Sequence, residues 1–132
     1  MKQEVTKRLL VKKTTIGTGN QQCSVTATLK LFVTKWKPCI LCYLAEKPMR
    51  YNDLFRIIPA ISRKMLSEHL KELEAAPLIT RIQYDSKLQK VEYSLSVKGK
   101  SLIPVLQQLQ NWGVKHINNV LSIQVMLTIT MN

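Results

Sequence analysis

The chain has 132 residues and a formal net charge of +12, from 20 Lys and Arg against 8 Asp and Glu. Its length predicts one domain, and its 45% hydrophobic and 21% charged residues are typical of a globular protein rather than a disordered one. Four Gly and five Pro exclude a collagen-like chain, and no apolar run long enough for a transmembrane helix occurs. The positive charge favours a polyanionic partner, nucleic acid before an anionic membrane.

The start of the chain and its cysteines favour a cytoplasmic location. Residues 1–8 lack the apolar stretch and the cleavage site of a signal peptide, so export is not predicted. Three Cys is an odd number and a low density. This argues against a disulfide scaffold and for a reducing compartment.

Three short helices are predicted in the first half of the chain. Residues 1–22 are polar and basic, and we expect a flexible arm or a short edge element there, with little order. Apolar residues at near-helical spacing predict a first helix at about 24–33 and a second over 36–46. A third helix is predicted over 51–58, where Pro59 ends it because the residue before a proline is disfavoured in the helical region.

A fourth helix is predicted to begin after Ser62, whose side chain can cap it, and to run to about Ala75. Leu66, Leu70 and Leu73 recur at i, i+4 and i+7, which indicates a face directed toward the core. The opposite face is polar and carries Arg63, Lys64, Ser67, Lys71 and Glu74.

A β-hairpin and a last helix are predicted to follow. Residues 78–85 and 91–96 alternate between apolar and polar side chains, and residues 86–90 join them. Ser96 can cap the last helix, in which Pro104 costs little only if it lies in the first turn, since elsewhere it kinks a helix. The expected inward stripe of this helix consists of Leu102, Val105, Leu106, Leu109 and Trp112.

The last residues, 119–132, carry many apolar side chains and no charge. Their alternation is compatible with a strand, and a continuation of the last helix fits equally well. Because an exposed segment of this kind would promote aggregation, we expect it to be buried against a second subunit.

The order of these elements predicts an α+β, mostly helical winged helix-turn-helix with a two- to three-stranded wing. Two helices joined by the turn Pro59-Ala60-Ile61 hold the second of them, the recognition helix, where it fits a DNA major groove. Arg and Lys contact guanine edges and phosphates, and Ser contacts either. The candidate DNA contacts are Ser62, Arg63, Lys64, Ser67 and Lys71 on this helix and Lys87 and Lys90 on the wing.

The polar face of the fourth helix also has a simpler interpretation as a solvated surface, because Glu68, Glu72 and Glu74 dilute its positive charge. The domain would then be a winged-helix protein–protein interaction module without specific DNA binding. A third alternative is peripheral membrane association through the apolar tail and the basic arm.

Several runs of sequence resemble the HxlR family of bacterial and archaeal transcription regulators, within the MarR-like superfamily. The similarity extends from about Cys23 to Trp112, and its most specific run is Ile58-Pro59-Ala60-Ile61-Ser62-Arg63-Lys64-Met65-Leu66. Other matching runs are Lys35-Trp36-Lys37-Pro38, Arg50-Tyr51-Asn52-Asp53-Leu54 and Val91-Glu92-Tyr93-Ser94-Leu95-Ser96.

The resemblance implies a transcription regulator that binds double-stranded DNA as a homodimer on an inverted-repeat operator, with added N- and C-terminal helices that form the dimer. Arg50 and Tyr51, at the start of the third helix, complete the candidate DNA-binding set. Two departures concern loops, because Val33-Thr34 stands where the family usually has a Gly pair and Ala76-Pro77 where it usually has Asp-Gly.

The cysteines carry two separate hypotheses. Cys23 lies at the start of the first helix, where some similar regulators have a redox- or electrophile-sensing cysteine, and a helix N-terminus favours the thiolate. The alternative is an inert thiol. Cys39 and Cys42 form a C-x-x-C inside the second helix, where core packing is favoured because free Cys is among the most buried residue types. Zinc would need further ligands, and the two His, His69 and His116, are both remote in sequence.

No enzyme motif is found, neither a nucleophile elbow nor a Gly-rich phosphate loop nor a pair of catalytic carboxylates. His69 lies near the inner edge of the recognition helix, where a packed histidine is expected rather than a base. We therefore predict no enzymatic activity, cofactor or metal. The predicted organisation is a basic arm (1–22), a DNA-binding domain with its dimerisation helices (23–118) and an apolar tail (119–132).

Overall fold

The computed structural model describes residues 22–85, 87, 90–118 and 120. The chain divides into two compact units, residues 1–30 and 31–132. Helix α1 (Ser24–Phe32) begins in the first unit, where the Thr28 hydroxyl donates a hydrogen bond to the Ser24 carbonyl oxygen at 2.7 Å. This helix confirms the prediction of a first helix at about 24–33.

The second unit has the element order that the sequence predicts. Its further helices and strands are α2 (Lys37–Glu46), α3 (Tyr51–Ile57), α4 (Arg63–Ala75), β1 (Ile79–Asp85), β2 (Lys90–Leu95) and α5 (Val97–His116). The predicted ends of the three middle helices and of both strands lie within about one residue of these bounds. The architecture is the expected α+β, mostly helical winged helix-turn-helix.

Helix α2 supplies the centre of the core. Pro38 lies in its first turn, where a missing N–H costs no hydrogen bond. The side chains of Ile40, Leu41 and Leu44 are buried, and α2 contacts both β2 and α5. The second predicted helix therefore forms as expected, because its apolar stripe is buried in the core.

A tight turn joins α3 to α4. Ala60 in this turn has a φ of 64°, in the left-handed region that residues other than Gly rarely adopt. Ser62 then caps α4, because its Oγ accepts a hydrogen bond from the Met65 N–H at 3.1 Å. The buried leucines of α4 are Leu66, Leu70 and Leu73. Both the predicted cap and the predicted core face of this helix are confirmed.

The wing is a two-stranded antiparallel sheet in which Ile79 pairs with Leu95, both of them buried. Met49 adds a one-residue bridge to Tyr93. The Met49 N–H donates to the Tyr93 carbonyl oxygen at 3.0 Å, and the Met49 carbonyl oxygen accepts from the Tyr93 N–H at 2.8 Å. The expected two- to three-stranded wing is thus a hairpin with a rudimentary third strand.

Helix α5 is fixed at its start by a cap and a close approach. The Ser96 Oγ accepts a hydrogen bond from the Gly99 N–H at 3.0 Å, which confirms the predicted cap. A Cβ at Gly99 would overlap the Leu78 carbonyl oxygen. Pro104 does not lie in the first turn, where a proline costs little, but well inside a helix that begins at Val97. The helix continues past it with one backbone hydrogen bond fewer.

The predicted inward stripe of α5 is only partly buried. Leu102 and Leu106 belong to the core, whereas Val105, Leu109 and Trp112 are exposed, with 59% of Trp112 accessible. The prediction of one inward stripe is wrong for these three residues in the single chain. At 100° per residue, Val105 and Trp112 lie roughly 80–100° away from the line through the two buried leucines.

The predictions for the two ends of the chain lie outside the described residues. The arm is described only at residue 22 and the tail only at residue 120. Among the helices that are described, none combines the length and the apolar composition needed to cross a membrane.

Candidate nucleic-acid interface

Two side-chain hydrogen bonds join the start of α4 to α3. The Tyr51 hydroxyl donates to the Arg63 carbonyl oxygen at 3.0 Å and accepts from the Ser67 hydroxyl at 3.2 Å. Tyr51 is the first residue of α3, so one side chain fixes the first turn of α4. The structure therefore brings three of the predicted DNA-contact residues together, and it uses the hydroxyls of two of them within the protein.

The Arg63 guanidinium lies against the aromatic rings of α3. Its Cζ is 4.2 Å from the centroid of the Phe55 ring and 5.9 Å from that of the Tyr51 ring. A cation over an aromatic face gains about 0.5–1 kcal/mol at an exposed site, and stacking leaves the N–H donors at the edge of the guanidinium plane. Arg63 is thus exposed, charged and restricted in orientation. The sequence interpretation missed Phe55, whose ring restrains this arginine.

The remaining candidates near α4 are all exposed but differ in their contacts. Lys64 and Lys71 are exposed on the side opposite the buried leucines. Ser62 is also exposed, but its oxygen already accepts the cap hydrogen bond. Arg50 precedes α3, and its backbone N–H donates to the Asp53 carboxylate at 3.4 Å.

Two lysines mark the wing. Lys87 and Lys90 are exposed, and Lys90 is paired in register with Asp85. Between the two strands, Lys87 is the one residue that the structure describes. Exposed lysines on a wing suit phosphate contacts, which position a protein on DNA without reading its sequence.

The charge on α4 itself is balanced. The helix carries Arg63, Lys64, Lys71, Glu68, Glu72 and Glu74. One of these carboxylates is paired with a lysine of α2, which leaves three cations and two carboxylates for contacts outside the protein. Any attraction of this face for DNA therefore depends on where its cations lie rather than on their number.

Lys37 is a buried lysine that the sequence interpretation missed. Only 6% of its surface is exposed, and its Nζ forms an ion pair with the Glu72 carboxylate of α4. The hydrogen bond from Lys37 holds the pKa of the Glu72 carboxyl below its usual value. The sequence contains a signal for this burial, because Lys37 lies three and four positions before the buried Ile40 and Leu41 and so shares their face. The pair ties α4 to α2.

His69 is a packed histidine, as predicted. It is buried, and neither ring nitrogen has a hydrogen-bond partner among the described residues. Burial is the main cause that lowers its pKa, the Lys37 ammonium adds to the effect, and the Glu72 carboxylate 4.0 Å from Nδ1 opposes it. A buried imidazole held neutral in this way contributes to packing.

The cysteines lie in two environments. Cys23 is exposed and directly precedes α1, where its carbonyl oxygen accepts a hydrogen bond from the Ala27 N–H at 2.9 Å. Cys39 and Cys42 are half-buried in α2 and pack against the core, as predicted. Burial raises the pKa of both thiols, that of Cys42 to about 11, so both are protonated at neutral pH and poorly nucleophilic. Within the described part of the chain, no three metal-ligating side chains come together.

Known proteins are similar to this chain in sequence over the domain. Residues 31–120 match the family described as HxlR-like helix-turn-helix. The HTH-type transcriptional regulator YtcD of Bacillus subtilis strain 168 is 47% identical over 97 residues, which cover 74% of this chain and 77% of YtcD. The HTH-type transcriptional regulator BH0655 of Halalkalibacterium halodurans is 48% identical over 93 residues, which cover 70% of this chain and 82% of BH0655.

Solved structures share the fold. The redox regulator HypR in its reduced form has a TM-score of 0.69 at 34% identity and covers 73% of this chain and 95% of its own. The crystal structure of YtcD has a TM-score of 0.67 at 44% identity and covers 74% of this chain and 100% of YtcD. Reduced YodB from B. subtilis has a TM-score of 0.67 at 32% identity and covers 76% of this chain and 99% of YodB. These proteins are transcriptional regulators rather than enzymes, and by sequence and by fold the chain belongs to the HxlR-like helix-turn-helix family of transcriptional regulators.

Proposed function

We propose that the chain is a sequence-specific DNA-binding regulator that acts as a homodimer on an inverted-repeat operator in the cytoplasm. The observation that carries this proposal is the restrained, exposed arginine at the start of α4. The Phe55 and Tyr51 rings hold the Arg63 guanidinium, and the Tyr51 hydroxyl holds the Arg63 main-chain carbonyl, so little side-chain entropy is lost when the arginine binds. An arginine that donates two hydrogen bonds to guanine O6 and N7 is the commonest specific contact in the major groove.

In this proposal α4 is the recognition helix and enters the major groove. Arg63 and Lys64, in its first turn, contact base edges, with Ser67 and Lys71 further along the helix. Tyr51 supports Arg63 from α3. The residues assigned to phosphates are Arg50, Ser62, Lys87 and Lys90. Occupancy of the operator would then block or aid RNA polymerase.

The homodimer is proposed to use apolar side chains that α1 and α5 expose. On α5, Val105 and Trp112 are exposed two helical turns apart. On α1, Val25 and Leu29 are exposed one turn apart. Exposed aromatic and aliphatic side chains are typical of homodimer interfaces. A two-fold axis would place two recognition helices about 34 Å apart, one turn of DNA.

We assign residues 23–118 to the DNA-binding domain with its dimerisation helices. Residues 1–22 carry five Lys and Arg against one Glu, and we assign them to phosphate attraction as a basic arm. Residues 119–132 are assigned to a separate apolar segment without charge.

Cys23 is proposed as a redox or electrophile sensor. Relatives have been solved as oxidised HypR and as diamide-treated and quinone-bound YodB. In this chain Cys23 is exposed, whereas burial raises the pKa of the Cys39 and Cys42 thiols. A Cys23 thiol that titrates well below about 8.5, with operator binding lost on diamide treatment and retained in Cys23→Ser, would support the sensor. A thiol with an ordinary pKa and binding that ignores oxidants would exclude it.

A protein–protein interaction module is a second candidate, favoured by the charge balance of α4. Its three cations lie among three carboxylates, one of which is paired with Lys37, so this face is also suited to be a solvated surface. The two functions differ in their salt dependence. DNA binding weakens with a slope of about −0.9 in log K per phosphate contact, whereas the module would not bind a generic duplex even at low salt.

Selection of bound sequences from a random duplex pool tests the proposal and returns the operator. We expect an inverted repeat with half-sites about one DNA turn apart. Arg63→Ala should weaken binding to the selected duplex roughly 5–150-fold, or 1–3 kcal/mol, and relax the base preference at one position. Lys115→Ala, in the last turn of α5, serves as the control and should change little. No enriched sequence and no duplex binding at low salt would favour the interaction module.

A further inference from the structure

An apolar groove runs along the C-terminal half of α5. Its volume is about 310 Å³, and side chains of α5 and α2 form most of its wall. The lining includes Phe32, Cys42, Leu109, Val114, Ile117 and Val120. The groove has few polar groups, so it is suited to an apolar occupant.

The rim of this groove is exposed in the single chain. The accessible fraction is 50% for Leu109 and 51% for Ile117, although both side chains are apolar. Soluble proteins rarely leave a contiguous apolar patch uncovered unless it binds something. The groove therefore needs an occupant.

The chain itself provides an apolar segment at the edge of the groove. Val120 lines the groove, and the twelve residues 121–132 follow it directly, with seven apolar side chains and no charge. The family match ends at residue 120. The segment is therefore an addition to the shared domain, and it begins where the groove is.

We propose that residues 121–132 of the same chain pack into this groove and cover it. The lining part of α5, Leu106 to Val114, rises about 12 Å at 1.5 Å per residue, and twelve extended residues reach up to about 40 Å. No linker is needed, because Val120 already lies in the groove wall. A segment from another molecule would first have to cross between subunits, at a cost in entropy that the attached segment does not have.

The groove and the proposed dimer face use different side chains of α5. Val105 and Trp112 are not among the residues that line the groove. The inference therefore does not depend on DNA binding. The test of the inference is the position of residues 121–132.

Disulfide trapping on the full chain tests the position of the segment. In a Cys23→Ser, Cys39→Ser background, Cys42 remains as the one native thiol, and it lies in the groove wall. Single cysteines are introduced as Ile123→Cys, Val125→Cys, Leu127→Cys and Ile129→Cys, with Gln124→Cys, Thr128→Cys and Thr130→Cys as matched controls. Mild oxidation with diamide removes two hydrogens from each thiol pair that meets, and a non-reducing gel separates the products.

We expect at least one of the apolar positions to form an intramolecular disulfide with Cys42 ten or more times faster than its polar neighbours, and this preference to vanish in urea. A covalent dimer as the main product would overturn the inference and assign the groove to the segment of a second copy. Equal rates at all positions in the native state would overturn it as well.

A second measurement does not depend on introduced cysteines. A chain that ends at Val120 should bind the dye ANS several times more strongly than the full chain, because the groove is then uncovered, and an added peptide of residues 121–132 should reverse the increase. Unchanged dye binding would contradict the inference. Sedimentation with anionic vesicles that requires residues 121–132 would contradict it too, because the segment would then belong to a membrane surface.

Discussion

Single side chains decide how α4 is presented to a partner. The Phe55 ring and the Tyr51 hydroxyl restrain Arg63, and the Lys37 ammonium pairs with Glu72. In both cases a residue of an earlier helix limits the motion of a residue on α4. The affinity of α4 for a partner should therefore depend on residues of α2 and α3 that hold α4 in place.

Tyr51→Phe tests this dependence at one hydroxyl. The change removes the donor to the Arg63 carbonyl oxygen and the acceptor for Ser67, and both groups are then left to water. We expect the free energy of unfolding in urea to fall by about 0.5–1.5 kcal/mol. Tyr84→Phe is the control, because 61% of Tyr84 is exposed. Equal stability of the two variants would show that the hydroxyl does not fix the start of α4.

His69 should make the protein less stable in mild acid. Burial lowers its pKa from the ordinary value of 6.5, so the unfolded chain binds a proton below about pH 6.5 while the folded one does not. The free energy of unfolding should fall as the pH drops from 6.5 toward the folded pKa, by at most about 1.4 kcal/mol per pH unit for one group.

The control for this pH dependence is the exposed His116. Urea unfolding at pH 7.5 and 5.5 separates the contributions of the two histidines to the loss of stability. It is measured for the wild type, His69→Met and His116→Gln. The fall should be smaller in His69→Met and unchanged in His116→Gln. If stability fell as much in His69→Met as in the wild type, the pH dependence would come from carboxyl groups instead. Glu72 is not the source at pH 5.5, because its pKa is held below 4.5 and its contribution to stability is lost only at lower pH.

At the scale of the elements, local signals located almost every boundary. Ser62 and Ser96 were identifiable as caps because a cap needs only its own side chain and the next turn. The stack of Arg63 on Phe55 was not predictable, since it depends on how two helices pack. The exposed half of the α5 stripe was missed for a related reason. Periodicity shows which residues share a face, not whether a neighbour covers that face.

Gly99→Ala should show how closely α5 approaches the start of the wing. The new Cβ would overlap the Leu78 carbonyl oxygen, so α5 must shift. We expect a loss of about 1–3 kcal/mol in the free energy of unfolding. The matched control is Gly113→Ala, whose Cβ would lie 4.0 Å from the Ile117 Cδ1, an ordinary contact. In a helix interior Ala is favoured over Gly by about 0.8–1 kcal/mol, so the control should be stabilised. Two variants of similar stability would contradict the close approach.

At the scale of the whole molecule, the net charge of +12 is not concentrated on α4. Helix α4 has as many carboxylates as cations, whereas residues 1–22 carry five cations and one carboxylate. Long-range attraction to a polyanion and local reading of bases are therefore assigned to different parts of the chain. Phosphate contacts supply affinity that depends on salt but not on sequence.

A chain that lacks residues 2–21 should separate these two contributions. The deletion removes five cations and one carboxylate per subunit, and the salt slope of log K should become shallower by about 0.9 for each phosphate that the arm neutralises in the full chain. Binding to the selected duplex and to a random duplex should weaken by the same factor, because the arm contacts no base edges in this proposal. Fluorescence anisotropy across a salt series measures both constants. If the ratio of the two constants changed instead, the arm would be reading sequence, and the division of roles between the arm and α4 would be wrong.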